Sequence, residues 1–315
     1  MKLLYFNDFR LGVLKGDTVV DVTSVVQNIP HTSPGNLIIG VIERFAEVRG
    51  ALERAAGAGT GLPVAQVKIR PPLPKPVNVD CMAVNYMEDG TREKPAEINA
   101  FHKSPGCIAG HGDTMVMPDL PLTILEGEAE LAVVMGKRAQ NVRATDAMSH
   151  VFGYTNFIDG SARAVTRLGN SFYQVKSRDT FAPIGPYVVT ADEIKDPHKL
   201  QVRLWVNGQI KQNYNPDDMA NKIPRCIEWI SSIHALEPGD ILATGTNHRG
   251  LSAFQDGDTV EIEIDGLGRL MVKVRDDLKR TWARETRLER EQKGLKGTTP
   301  QLTGKYAPVN VSERG

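Results

Sequence analysis

The stretch Glu128-Ala129-Glu130-Leu131-Ala132-Val133-Val134-Met135-Gly136 decides how this chain is read. Its apolar, β-branched run predicts a strand, and on a strand the side chains of Glu128 and Glu130 point to one face. Two like charges side by side cost free energy unless a cation or a shifted pKa relieves them. Asp159, in Asn156-Phe157-Ile158-Asp159-Gly160-Ser161-Ala162-Arg163, follows about thirty residues on and would complete an oxygen cage. Glu128, Glu130 and Asp159 therefore read as the ligands of a divalent metal inside an enzyme.

Composition mostly excludes other classes. With 315 residues, 41% hydrophobic and 24% charged, the chain can bury a sizeable core. Lys plus Arg equals Asp plus Glu at 38 each, so no charge bias points to nucleic acid or an anionic membrane. No apolar run approaches the roughly 20 residues of a membrane span. The opening Met1-Lys2-Leu3-Leu4-Tyr5-Phe6-Asn7-Asp8 meets polar residues too early for a signal peptide, so a cytoplasmic protein is expected. Cys81, Cys107 and Cys226 lie far apart without paired spacing and are expected as buried free thiols.

Outward from the acidic strand, the N-terminal forty residues predict short strands joined by Lys15-Gly16-Asp17. Ser33 and Pro34 open a helix whose Ile38, Val41, Ile42, Phe45, Val48 and Leu52 recur at helical spacing. Pro71, Pro72, Pro74 and Pro76 form a stiff connector. Beyond it, Leu131 to Met135, Tyr187 to Val189, Val202 to Val206, Ile241 to Thr244 and Val260 to Ile264 read as strands. Asn207-Gly208 and Asp265-Gly266 are hairpin turns that favour an antiparallel or mixed sheet. A helix is predicted from about Ile223 to Leu236, with Ile223, Ile227, Ile230 and Ile233 facing inward. After Asp276 the chain turns highly charged, and Arg280, Arg284, Glu285, Arg287, Glu289, Arg290 and Glu291 suggest an exposed helix. The expected divisions are residues 1–72 as a small N-terminal lobe, 73–278 as the catalytic domain and 279–315 as a charged extension.

Several motifs in series carry a resemblance. The Glu128 to Lys137 stretch, Gly153-Tyr154-Thr155, Asp159-Gly160-Ser161-Ala162-Arg163, Lys176-Ser177-Arg178-Asp179-Thr180-Phe181, Gly185-Pro186 and Leu236-Glu237-Pro238-Gly239-Asp240-Ile241-Leu242-Ala243-Thr244-Gly245-Thr246 occur in the order seen in the fumarylacetoacetate hydrolase family. The resemblance covers roughly residues 75 to 275. It implies a mixed, strand-rich α/β fold: a β-sandwich roll like the family's C-terminal domain, behind a small N-terminal α+β lobe, in a homodimer. It implies Mg2+ or Mn2+, with Ca2+ a further candidate, and a small-molecule 2-oxo acid or diketone as substrate. Lys176 matches the family's active-site lysine. Thr246 matches the threonine that receives the substrate carboxylate, and Tyr86 and Arg163 are candidate substrate contacts. Asp179 and Arg163 match positions that either touch substrate or brace the site as an ion pair.

One departure bears on the reaction. Many family members carry Asn-Tyr followed, after two intervening residues, by a histidine on a short mobile helix, and this histidine pairs with a glutamate to activate water. Here Asn85-Tyr86-Met87-Glu88-Asp89-Gly90-Thr91-Arg92-Glu93 places Asp89 at that point. A carboxylate with an ordinary pKa near about 4 is a weak base at neutral pH. Glu88, Asp89 and Glu93 are candidate substitutes, as are His102, His111 and His248, the last of which directly follows the threonine motif. Thr166 replaces a family glutamine. The expected activity is metal-dependent hydrolysis of a carbon-carbon bond in an acylpyruvate-like or 1,3-dicarbonyl compound, in degradation of an aromatic or cyclic substrate. A 2-oxo acid decarboxylase or dienoate isomerase or hydratase of the same fold is the alternative. A protein that binds metal and ligand without turnover is the reading from a different class.

Overall fold

A computed structural model describes residues 1–165 and 171–308, so Thr166 lies outside the described residues. Period-two patterning and turn glycines convert the N-terminal residues into a meander: β1 (Lys2–Phe6), β2 (Arg10–Lys15) and β3 (Thr18–Asp21). The helical stripe forms two helices, α1 (Pro34–Glu43) and α2 (Phe45–Ala58), broken at Arg44. Ser33 caps α1 by accepting the Asn36 N–H, with Pro34 in its first turn, as the sequence indicated.

The site rests on β4 (Val79–Ala83), β5 (Asn99–His102), β6 (Ile124–Met135) and β7 (Val151–Arg163). They are followed by α3 (Phe172–Lys176), β8 (Ala182–Thr190), β9 (Val202–Val206) and β10 (Gln209–Tyr214). Next come α4 (Ile223–Ser231), β11 (Ile241–Ala243), β12 (Thr259–Ile264), β13 (Arg269–Arg275) and α5 (Arg287–Gln292). The large mixed sheet runs β3-β2-β1-β8-β7-β6-β11-β4-β5, so β1 is hydrogen-bonded to β8 and the N-terminal meander extends the same sheet. A second sheet, β10-β9-β12-β13, is antiparallel through these strands and packs through β9 and β12 on the β6–β7 pair.

Strand β6 is buried along its whole length, which accounts for its near-continuous apolar run. The central packing is made by Leu131, Val133, Phe157, Ile184, Ile227, Ile241 and Ile262 and their neighbours, all fully buried. The three cysteines are free and buried. Among the described residues no helix is long and apolar enough to cross a membrane.

Two expectations are corrected. Helix α4 stops at Ser231, and Ile233 is 64% exposed, because its inward stripe is Ile223, Cys226, Ile227 and Ile230. The charged segment after Asp276 is anchored, and among the described residues it holds the short helix α5 and a pairing of Thr281–Trp282 with Gln301–Thr303. Arg280 is fully buried in a two-pronged ion pair with Asp276 and also donates to the Leu120 and Pro118 carbonyls. Burying a guanidinium requires such complete pairing.

Candidate active site

The antiparallel β6–β7 pairing is what assembles the acids. Glu128 sits directly across from Asp159 and Glu126 across from Ser161, so Glu126, Glu128 and Glu130 share one face with Asp159 beside them. Glu128, Glu130 and Asp159 are buried, and each offers an oxygen within 4.8 Å of the others. Gly245, at φ +86°, turns its N–H onto Glu130 Oε2 at 2.8 Å. Glu130 Oε1 is buried with no hydrogen-bond partner among the described residues.

Cations crowd round the acids. Lys176, at the end of α3, spans Glu128 and Asp159, with Nζ 3.0 Å from Glu128 Oε2. Arg163 bridges Glu128 and Glu126, with Nε 2.9 Å from Glu126 Oε2. Two further cations were not assigned a role from the sequence. Lys103 is fully buried and donates to Asp159 Oδ1 at 2.6 Å, to the Gly160 carbonyl at 3.3 Å and to the Lys176 carbonyl. Arg287, read as part of an exposed charged helix, clasps Glu126 from α5, with Nε 3.1 Å from Oε1. The capping box of Thr286 and Glu289 fixes the turn from which Arg287 reaches back.

The charges act on the acids in opposite directions. Burial, together with the charges of Asp159 and Glu128, pushes Glu130 well above the usual carboxylate range. Burial also opposes ionisation of Glu128, but Lys176, Arg163 and His248 outweigh it and hold Glu128 well below that range. For Lys176, burial favours the neutral amine, and the Asp159 and Glu128 charges overcome it and raise its pKa. The donor set is all hard oxygen, with one orphaned buried oxygen and one carboxyl resisting ionisation for want of positive charge. It fits Mg2+ or Mn2+, with Ca2+ also matched by oxygen-only ligands.

Beside the acids the structure brings together two more of the candidate residues. His248 Nδ1 lies 2.6 Å from Glu88 Oε1, and the His248 backbone N–H donates to Glu88 Oε2 at 2.8 Å. A carboxylate accepting from Nδ1–H leaves the lone pair on Nε2. Asp89 instead pairs with Arg249 at 3.3 Å, while its N–H is held by Asp218 at 3.1 Å. His111 lies elsewhere, accepting the Met271 N–H at 3.3 Å, and His102 stands by Asp80. Tyr86 is fully buried against Tyr214, ring edge to face at 5.0 Å. Thr246 donates its hydroxyl to the Ala129 carbonyl at 2.8 Å and accepts from Gln212, a buried residue that also receives the Ala129 N–H. Arg163, a candidate for substrate contact or for bracing, is here ion-paired with Glu126 and Glu128.

A cleft of about 410 Å³ opens at the Glu88–His248 pair, lined by Val84, Glu88, Thr91, Arg92, His248, Arg249, Arg287 and Glu291. The Nε atoms of Arg92 and Arg249 are buried there without a partner among the described residues.

Fold and site together define a strand-rich α/β enzyme built round a divalent-cation cage of carboxylates. The family model described as Fumarylacetoacetate (FAA) hydrolase C-terminal matches residues 79–275, and the chain belongs to this family. It is 37% identical over 289 residues to Oxaloacetate tautomerase YisK of Bacillus subtilis, covering 85% of this chain and 96% of that one. It is 35% identical over 275 residues to the mitochondrial Oxaloacetate tautomerase FAHD2A of Bos taurus, covering 82% and 84%. Among solved structures, maleylpyruvate hydrolase from Sphingobium sp. SYK-6 in complex with manganese (II) ion and pyruvate superposes with a TM-score of 0.80 at 36% identity, over 88% of this chain and 99% of that one.

Proposed function

We propose that this chain is a Mn2+- or Mg2+-dependent hydrolase of acylpyruvates bearing a second carboxylate, with His248, oriented by Glu88, as the general base. The observation that carries the proposal is the 2.6 Å contact of His248 Nδ1 with Glu88, set beside the carboxylate cage at the mouth of an arginine-lined cleft. Glu128, Glu130 and Asp159 would hold the cation, which supplies Lewis-acid polarisation of the 2-oxo acid oxygens. His248 Nε2 takes a proton from water, and the resulting hydroxide adds to the distal ketone. The tetrahedral adduct collapses, its carbon-carbon bond breaking with the electron pair passing to the pyruvate half. Lys176 stabilises the developing enolate oxygen with its positive charge, and protonation at carbon gives pyruvate plus a carboxylate. Arg92 and Arg249, whose side chains line the cleft, receive the distal carboxylate. The manganese and pyruvate named for the 36%-identical maleylpyruvate hydrolase support this reading, since pyruvate is the enolate half of such a cleavage.

A second reading is favoured by the tautomerase relatives. A base beside an enolate-stabilising cage could shuttle a proton between the carbon and oxygen of oxaloacetate without cleaving a bond. The purified enzyme with Mn2+ should be given maleylpyruvate, acetylpyruvate and enol-oxaloacetate in parallel. Release of pyruvate with a carboxylic acid establishes hydrolysis. Accelerated enol-to-keto conversion with no bond broken, CO2 release, or metal binding without turnover would each replace it with tautomerase, decarboxylase or binding protein respectively.

A further inference from the structure

A second cluster of metal-ligating side chains lies apart from the carboxylate cage. Asp80 on β4 faces His102 on β5 as its direct cross-strand partner, and His234, just beyond α4, closes the group. Asp80 Oδ1 is 3.2 Å from His234 Nε2 and 3.4 Å from His102 Nδ1, and all three residues offer ligand atoms within 4.8 Å of one another.

Two observations point to a cation. First, His234 Nδ1 lies 2.9 Å from the Ala235 carbonyl and must donate to it, so a neutral ring presents the Nε2 lone pair to the Asp80 carboxylate. Two lone pairs facing across 3.2 Å repel unless a metal ion, or a proton on Nε2, lies between them. Metal-bound histidines commonly have one ring nitrogen tied to a backbone carbonyl in this way, which leaves the other nitrogen to bind the ion. Second, Asp80 is 97% removed from solvent (3% exposed), and its Oδ2 has no hydrogen-bond partner among the described residues. A carboxylate buried to that degree needs a positive charge beside it.

The two separations from Asp80 Oδ1 are compatible with zinc. Tetrahedral Zn2+ with bonds of roughly 2.0–2.1 Å separates neighbouring ligand atoms by about 3.3 Å. The two separations here are 3.2 and 3.4 Å. Two imidazoles and one carboxylate are borderline donors suited to zinc, unlike the all-oxygen cage next door.

We propose that Asp80, His102 and His234 form a second, zinc-type metal site with one coordination position left for water. The ion would tie β5, at the end of the large sheet, to the segment after α4. His102 immediately precedes Lys103, whose ammonium holds Asp159, so the same ion would steady the strand end that carries this brace.

The test uses tag-free full-length protein saturated with Mg2+ to occupy the carboxylate cage, titrated calorimetrically with Zn2+ and spectroscopically with Co2+. One Zn2+ per chain is expected, with the intense visible absorption of tetrahedral Co2+. His102→Ala, at a largely exposed side chain where folding is not at stake, and His234→Ala should each weaken Zn2+ binding by about 100-fold. Glu130→Ala should leave it intact. Zinc binding that survives both histidine variants and vanishes in Glu130→Ala would overturn the proposal. So would no zinc binding at all, which would mark the cluster as an ion pair with a protonated His234.

Discussion

Replacing Glu130 by glutamine keeps the shape of the site and the acceptor for the Gly245 N–H while removing the one carboxylate that burial and its neighbours push up in pKa. At a cation concentration 100 times the dissociation constant, binding to the folded state alone stabilises the wild type by about 2.7 kcal/mol. Changes to groups that merely orient ligands cost roughly 10–100-fold in affinity. Loss of a charged ligand should reach at least the upper figure, leaving the variant a gain of about 0.4 kcal/mol at the same concentration. At roughly 2–4 °C per kcal/mol, the Mn2+-induced rise in Tm should be about 5–11 °C in the wild type and about 1–2 °C in Glu130→Gln. The pH dependence follows in sign. A carboxyl whose folded pKa is raised contributes stability that is complete below its unfolded value, near about 4.3, and is lost as pH rises through the folded value. Metal-free wild type should therefore lose stability over that window relative to Glu130→Gln, and the Mn2+ gain should grow as pH rises, because the cation takes the ionised form. Thermal unfolding of both proteins with Mn2+ and with EDTA, from roughly pH 5 to pH 8, measures all of this. An equal Mn2+ gain in the two proteins, or one indifferent to pH in the wild type, refutes the reasoning.

Three other perturbations discriminate the roles assigned above. His248→Ala should lower kcat by about 100-fold or more, and Glu88→Gln by nearly as much, with the double variant no worse than the worse single one; fully additive losses in steady-state kinetics would show that the two do not act as a unit. Arg92→Met should lower kcat/KM for maleylpyruvate by about 10–100-fold, the worth of a hydrogen bond to a charged group, mainly through KM. Acetylpyruvate, which lacks the distal carboxylate, should be nearly unaffected, and equal losses on both substrates would dissociate Arg92 from that carboxylate. Arg280→Met should destabilise the fold by about 3–5 kcal/mol in denaturant titration, since it leaves Asp276 buried and unpaired; a change under about 1 kcal/mol would show that the pair is dispensable.

The cage was legible because its information is local. A period of two places Glu128 and Glu130 on one face, and the apolar run after them marks a buried strand. The register that sets Asp159 across from Glu128 follows from antiparallel pairing of β6 and β7, which no short-range pattern states. Lys103 was missed for a related reason. Phe101-His102-Lys103 carries no motif, and the lysine is remarkable only because its partner stands 56 residues away. Arg287 was misread because a charged run near a terminus ordinarily faces water, whereas this one reaches a carboxylate 161 residues back. Helix α4 ends early because after Ser231 the chain must turn toward β11, and hydrophobic spacing continues past the point where hydrogen bonding stops.

The base shows most clearly what spacing alone could not supply. Glu88 and His248 were separate candidates 160 residues apart, and the fold joins them. The acid of the pair sits on the segment after Tyr86, where the family pattern has its histidine, and the histidine sits just beyond β11. Glu88 and Asp89 hold φ of 56° and 55°, values that cost a non-glycine residue roughly 1–3 kcal/mol where they are held against preference. The strain has a visible return, because this backbone directs the Glu88 carboxylate onto both the Nδ1 and the backbone N–H of His248. In the proposed mechanism, ordering the segment around Glu88 therefore sets the tautomer of His248. Under the proposed mechanism, displacing residues 85–93 would weaken the base by taking the Glu88 carboxylate off Nδ1.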